Sequence, residues 1–350
     1  MKRIGFTNQL NKERMKRLKR YDERDTMFAR MTYEKNKRNY KDYYSKHPDK
    51  KSIDDELRNG NGICSPSTPT YQPVDSNFVI SNFKFLSDIR PLVDGNPSQK
   101  KVMVKPNEIT KKIKRIAEDC GADLVGVTET KPYHYYSHRG RPLEHYGEKV
   151  DDLLPYAVVF GVRMKRENIE QAPNLPEVIE SSMSYVKAAI IGMQNSYFIR
   201  ELGYRARNHM DGNYLVVLPT LARDAGLGEI GRNGLLITPK YGLAVRLGAV
   251  TTEMPLEPDE KLNIDLSSFC DICARCAKKC PMQAIPHGER VMIDGELRWR
   301  ITQEKCYSFW GKIGTDCGLY IKNCPFGREA DLMELKEYTP LQLLQRLTKK

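Results

Sequence analysis

The chain has 350 residues, 40% of them hydrophobic and 29% charged, which is apolar content for one large domain or two ordinary ones. A mean hydropathy of −0.60 excludes a polytopic membrane protein, and no stretch nears the ~18 uninterrupted apolar residues of a spanning helix. The net charge of +12 suggests nucleic acid at first, but residues 1–20 carry eight Lys/Arg and one Glu, a net +7, leaving +5 for all the rest.

The basic excess is therefore an N-terminal arm, in its simplest reading a solvated tail. RNA or anionic-lipid contact is the lesser reading, because no aromatic interleaving supports it. The arm has no apolar export core and no twin arginine, which points to the cytoplasm. Residues up to 60 are polar and tyrosine-rich, broken at NGNG (59–62). The Pro, Ser and Asn clusters of 65–105 read as an extended covering segment. Order begins at Pro106, where Ile109, Ile113 and Ile116 repeat with helical spacing and Gly121 gives a stop. ADLVGVTET (122–130) and YAVVFGV (156–162) predict buried strands. LPEVIESSMSYVKAAIIGMQNSYFIRELG (175–203) predicts a long helix, YLVVLPTLARDAG (214–226) another, and LAVRLGAVTT (243–252) a third strand. Four segments follow: a basic arm and cover (1–105), an α/β core of the α+β kind (106–262), a cysteine module (263–330) and a C-terminal helix (331–350).

Seven of the nine cysteines fall between Cys270 and Cys324, an odd and clustered set that argues against a disulfide scaffold and for a metal cluster. Cys270, Cys273, Cys276 and Cys280-Pro281 give the C-x2-C-x2-C-x3-C-P run of bacterial ferredoxins. A zinc site would want two separated pairs, which this compact run does not offer. In such a run three thiolates hold one cubane and the fourth serves a second. Cys306, Cys317 and Cys324-Pro325 supply the reciprocal half. Cys324 would complete cluster 1 with Cys270, Cys273 and Cys276, while Cys280, Cys306 and Cys317 would serve cluster 2. The fourth ligand of cluster 2 is expected at position 320, where the sequence has Tyr320. A three-iron cluster, a cubane with a non-cysteine ligand and a labile site all fit that substitution. Cys64 and Cys120 read as buried thiols.

At these residues the chain resembles the corrinoid-dependent reductive dehalogenases. The resemblance runs from DTMFARM (25–31) through the second cysteine motif. Its most specific pieces are GADLVGVTE (121–129), AGLGEIGRNGLLITPKYG (225–242), VRLGAVTT (245–252), FCDICARCAKKCP and CYSFWGKIGTDCG. Epoxyqueuosine reductases, which act on tRNA, are related; KCYSFWGKIGTDCG (305–318) and the long N-terminal region look like the dehalogenase branch, and no helical-repeat tRNA-binding tail is seen. The resemblance implies a nitroreductase-like core holding base-off cobalamin beside a two-cluster ferredoxin module. The sequence has no D-x-H-x-x-G run, which fits a cobalt that takes no protein histidine. Gly226, Gly228 and Gly231 spell G-x-G-x-x-G, but the run follows a predicted helix, not the strand a dinucleotide fingerprint needs. It reads instead as a loop approaching a large cofactor, with Gly228, Gly231, Arg232 and Asn233 as its contacts.

The implied chemistry replaces a halide with hydrogen, using two electrons and one proton. By resemblance Tyr185 is the proton donor, Arg246 stabilises the phenolate left behind, and Asn213 is a polar residue of the substrate pocket. An arginine inside an apolar strand needs a partner, which independently singles out Arg246. His134, His138 and His145 resemble a ligand set; interrupted by Gly and Pro, they read as a loop along the substrate channel or cofactor edge. Trp299 and Trp310 read as shields of the clusters. The implied partners are an organohalide, a low-potential electron donor and, as for family members held at the membrane, a small anchor protein. The competing functions are an epoxyqueuosine-type reductase acting on tRNA and a non-catalytic iron–sulfur electron carrier, for which Tyr320 leaves room.

Overall fold

The computed structural model describes residues 18–349, so most of the basic arm lies outside the described residues. The end of the arm is tied down, since Arg20 donates to the carbonyls of Tyr136 and Val150. After a helical turn at Met27–Arg30, α1 (Arg38–Lys46) and α2 (Pro48–Asn59) pack the tyrosines Tyr33, Tyr40, Tyr43, Tyr44 and Tyr146 together. Tyr44 donates to Asp54, which is ion-paired with the fully buried Arg30. The NGNG break falls where α2 stops, at Gly60.

The segment expected to be extended instead contains a seventeen-residue helix, α3 (Pro73–Ile89). Its Pro, Ser and Asn residues mark ends and a solvent face. Ser76, Val79 and Leu86 are buried and Phe83 packs beside them, at spacings of three and four that make one helical stripe. Pro73 suits the first turn because its missing N–H has no intrahelical partner there.

From α4 (Pro106–Asp119) onward the chain builds a layered core with β1 (Leu124–Glu129), β2 (Tyr156–Arg163), the 27-residue α5 (Leu175–Glu201) and β3 (Ala206–His209). The helix expected from Tyr214 begins only at Leu218, as α6 (Leu218–Asp224). β-branched Val216 and Val217 stay extended, Val216 bridged to Tyr135, and Pro219 fits the first helical turn. A small hairpin, β4 (Glu229–Ile230) and β5 (Leu236–Ile237), leads into β6 (Val245–Thr252). The main sheet has the order β1-β2-β6-β3 with every pairing antiparallel. β2 is buried on both faces. Val158, Phe160 and Val162 join the core under α4 and α5, while Ala157 and Val159 join the core under α6, as the two-residue strand period requires. Gly192 lets α5 lie against β3: a Cβ there would sit 2.0 Å from Asn208 Oδ1, whose amide donates to the Ala189 carbonyl at 3.1 Å.

The cysteine module contains α7 (Leu266–Cys273), α8 (Arg275–Lys278), the hairpin β7 (Val291–Ile293) and β8 (Glu296–Arg298), α9 (Gln303–Ile313) and α10 (Leu319–Asn323). The final helix, α11 (Pro340–Thr348), packs on α7. One buried core joins Leu266, Phe269 and Phe326 of the module to Met164, Ile237 and Leu243 of the layered core and to Leu343 and Leu347 of α11. Among the described residues no helix is long and apolar enough to cross a membrane.

Candidate functional site

One face of α5 carries Glu177, Ser181 and Tyr185, each four residues from the next, and therefore stacked along the helix. Arg246 on β6 meets this stripe. Its Nη1 donates to the Tyr185 hydroxyl oxygen at 3.1 Å and its Nη2 to Ser181 Oγ at 2.7 Å, and the guanidinium lies 4.1 Å from the Tyr185 ring centroid. With its oxygen accepting from Arg246, the phenol keeps its own hydrogen for another partner. Ser181 in turn donates to Asp316 Oδ2 at 2.6 Å, one residue before Cys317. The Glu177 carboxyl lies beside that of Asp316, and Glu177 Oε2 and Asp316 Oδ1 are buried without a hydrogen-bond partner among the described residues. Burial, reinforced by Asp316, holds Glu177 well above the usual carboxyl range. Burial also raises the Tyr185 pKa, and the nearby Arg246 opposes that rise.

Two cavities border this network, and a third lies within the cysteine module. The first, of about 1040 Å³, is walled by Leu218, Leu235, Leu236, Leu243, Val245 and Leu247, with Tyr185, Arg246, Tyr214, Arg141 and Asp211 supplying polar groups. The second, of about 1200 Å³, is lined by Cys280, Cys306 and Cys317, together with Trp310, Asp316 and Tyr320. Tyr185, Arg246, Tyr320, Phe28 and Leu235 line both, so they form the partition between them. The third cavity, of about 340 Å³, is bounded by Cys270, Cys273, Cys276 and Cys324, the four cysteines expected to share one cluster.

All nine cysteines are free thiols. Burial pushes Cys270 and Cys317 up to about 12 and Cys276 and Cys306 up to about 11, and the Arg232 guanidinium offsets only part of the rise at Cys270 and Cys276. Among the described residues no three His, Cys, Asp or Glu side chains converge tightly enough for a single ion. Thiols spread around the wall of a cavity suit the larger core of an iron–sulfur cluster. The Ala284 N–H points at Cys280 Sγ, 3.3 Å away, the type of bond that tunes a cluster's potential.

No protein-family model matches the chain. The tetrachloroethene reductive dehalogenase of Sulfurospirillum multivorans is 31% identical over 255 residues, covering 63% of this chain and 50% of that protein. The enzyme of the same name from Desulfitobacterium hafniense is 30% identical over 270 residues, covering 63% and 48%. Over these spans the chain is similar to the reductive dehalogenases. It spans about half the length of the curated relatives it matches. The solved structure of a catabolic reductive dehalogenase, NpRdhA, superposes with a TM-score of 0.72 at 24% identity, over 93% of this chain and 44% of that one, and so shares the dehalogenase fold.

Within this dehalogenase fold, several expected contacts point elsewhere. A Cβ on Gly228 would lie 2.2 Å from the Ile237 carbonyl oxygen and one on Gly231 2.8 Å from Ile237 Cδ1, so closing the β4–β5 hairpin accounts for both glycines. Arg232 is buried and turned into the cysteine module. It donates to the carbonyls of Cys270, Pro286 and Gly288 at 2.8–3.1 Å and lies 4.4 Å from the Trp299 ring centroid. It braces the Cys270 loop and does not line the first cavity. Asn233 lines the two cysteine cavities. The Asn213 oxygen accepts from Arg207 at 2.7 Å, and its neighbours Asp211 and Tyr214, not Asn213, line the first cavity. The three histidines do not converge. His134 is buried against Asp224 at 3.0 Å, His138 lies near Asp22 and His145 near Glu148, and none lines a large cavity. Trp310 lines the second cavity, whereas Trp299 serves as the platform for Arg232. Ser181, Glu177 and Asp316 escaped the sequence reading; α5 carries other buried polar residues, among them Glu180, Ser182 and Ser184, so the four-residue spacing does not stand out in the sequence.

Proposed function

We propose that the chain catalyses reductive dehalogenation of an organohalide in the space on either side of the Tyr185–Arg246 pair. The observation that carries this reading is that pair's position, in the partition between an apolar cavity and one lined by cysteines. The residues fit the implied cofactors. Cys270, Cys273, Cys276 and Cys324 would hold cluster 1, and Cys280, Cys306 and Cys317 would hold cluster 2. The aliphatic wall of the first cavity suits the face of a corrinoid, and no histidine lines it to act as a cobalt ligand. A bound corrinoid, reduced through the clusters by a low-potential donor, would supply the two electrons that break the carbon–halogen bond.

The chain's own residues handle the proton. Tyr185 remains a phenol at neutral pH because burial raises its pKa. Its hydrogen is free to reach the substrate carbon, and the adjacent guanidinium stabilises the phenolate that remains. Leu218, Leu243 and Val245 exclude water from the same space, which strengthens that charge interaction. Electrons and proton thus meet at one partition, and the halide leaves as an anion. The test is anaerobic reconstitution with iron, sulfide and cobalamin, followed by assay of halide release from tetrachloroethene and from a bromophenol. A base-off cobalt spectrum with halide release is expected. Stoichiometric iron without cobalamin binding would leave an electron carrier, and retention of tRNA with a steep salt dependence would favour the epoxyqueuosine-type reading.

A further inference from the structure

Position 320 departs from the second cysteine motif, and the structure shows where the departure leads. α10 carries Tyr320 at its second residue, in the wall shared with Cys280, Cys306 and Cys317. The backbone therefore presents this position to the cavity as a cysteine ligand would be presented. A thiol would end at the cavity edge with iron beyond it. A phenol ring is far larger, and this one crosses the wall so that the residue also lines the apolar cavity with Tyr185 and Arg246. Its hydroxyl makes no hydrogen bond among the described residues, and its ring packs against the core that contains Ile237, Phe269 and Phe326.

No other cysteine takes the missing place. Cys64 is joined to the neighbouring loop by its N–H, which donates to the Gly314 carbonyl at 2.8 Å, but its side chain is buried with Val79, Leu175 and Val178 outside the cavity. Cys120 packs against the core of the main sheet. Asp316 also lines the cavity: its Oδ2 accepts from Ser181, whereas its Oδ1 has no hydrogen-bond partner among the described residues and is the alternative oxygen ligand, which a fourth iron in the wild type would reveal. Cys276 borders both cysteine cavities but stands with Cys270, Cys273 and Cys324 around the smaller one. We propose that the second cluster of this chain is a three-iron cluster on Cys280, Cys306 and Cys317, with the Tyr320 ring filling the corner that a fourth iron occupies in a cubane. This rests on the assignment of the cysteine-lined cavities to iron–sulfur clusters.

The full chain is reconstituted anaerobically with excess ferrous iron and sulfide under reducing conditions, as wild type, Tyr320→Cys and Tyr320→Phe. Iron and acid-labile sulfide per chain are measured, with EPR and Mössbauer spectra. The wild type is expected to hold one iron fewer than Tyr320→Cys at equal sulfide. Its oxidised three-iron signal should persist in Tyr320→Phe and vanish in Tyr320→Cys. Equal iron in wild type and Tyr320→Cys overturns the proposal, and a changed second-cluster spectrum in Tyr320→Phe would then identify a phenolate ligand. A wild type that loads only cluster 1 also overturns it. If no cluster forms in any of the three proteins, the cluster assignment itself fails; a normal cluster 1 in all of them confines any failure to the second site.

Discussion

Tyr185 and Arg246 define an acid whose pH behaviour has a fixed sign. A donor must be protonated, and the Tyr185 pKa lies above its ordinary value of 10.0, so activity should be flat through neutral pH and fall only as pH rises through that raised value. Arg246 lowers the same pKa; in Arg246→Gln the fall should move to still higher pH while the plateau rate drops, because the phenolate has lost its neighbour. Tyr185→Phe should reduce halide release by about 10²–10⁴-fold, the usual contribution of a positioned acid, with cobalamin absorbance unchanged. Equal rates in parent and variant would remove Tyr185 from the chemistry. Ser181→Ala leaves both Arg246 and Asp316 short of a partner and should destabilise the fold by about 1–3 kcal/mol, read from denaturant midpoints. The grouping of the cysteines around two cavities was legible from sequence because their spacing brings them together locally. Arg232 was not, since its partners at Cys270 and Gly288 lie 38 and 56 residues away.

At the level of elements, strands and long helices followed from periodicity, and the errors fell where composition spoke louder than period. The Pro, Ser and Asn content around α3 concealed a stripe that fixes it against α5. Leu86 is fully buried with Ala189 and Met210, so Leu86→Ala should cost about 2–5 kcal/mol in an unfolding titration. A loss within about 0.5 kcal/mol would instead describe a loose cover. α6 was misjudged for the opposite reason: a continuous apolar run, YLVVL, does not distinguish strand from helix until Pro219 fixes the first turn. The stripe of Glu177, Ser181 and Tyr185 carries no apolar signal at all, and its meaning appears only when β6 and the loop before α10 are brought against it.

Across the whole molecule, the cysteine module and the layered core share one buried interior, which contains Cys270, Cys273 and Cys324 themselves. Iron removal should therefore lower the calorimetric transition of the entire chain as a single event. Two separate transitions, with the upper one unmoved, would mean that the layered core stands alone. Three strands of the antiparallel four-stranded sheet were expected and the short β3 was not, and the order β1-β2-β6-β3 depends on contacts remote in sequence. The loop preceding α10 joins the two halves of this architecture. Cys317 holds a left-handed backbone with φ of 72°, and the residue before it, Asp316, anchors Ser181 and through it Arg246. The loop that carries Cys317 is consequently tied to the Tyr185 hydroxyl by three successive hydrogen bonds, through Ser181 and Arg246. A group seated on Cys317 would bear on the position of Tyr185 through that chain, so the two sites would sense each other's occupancy without sharing a ligand.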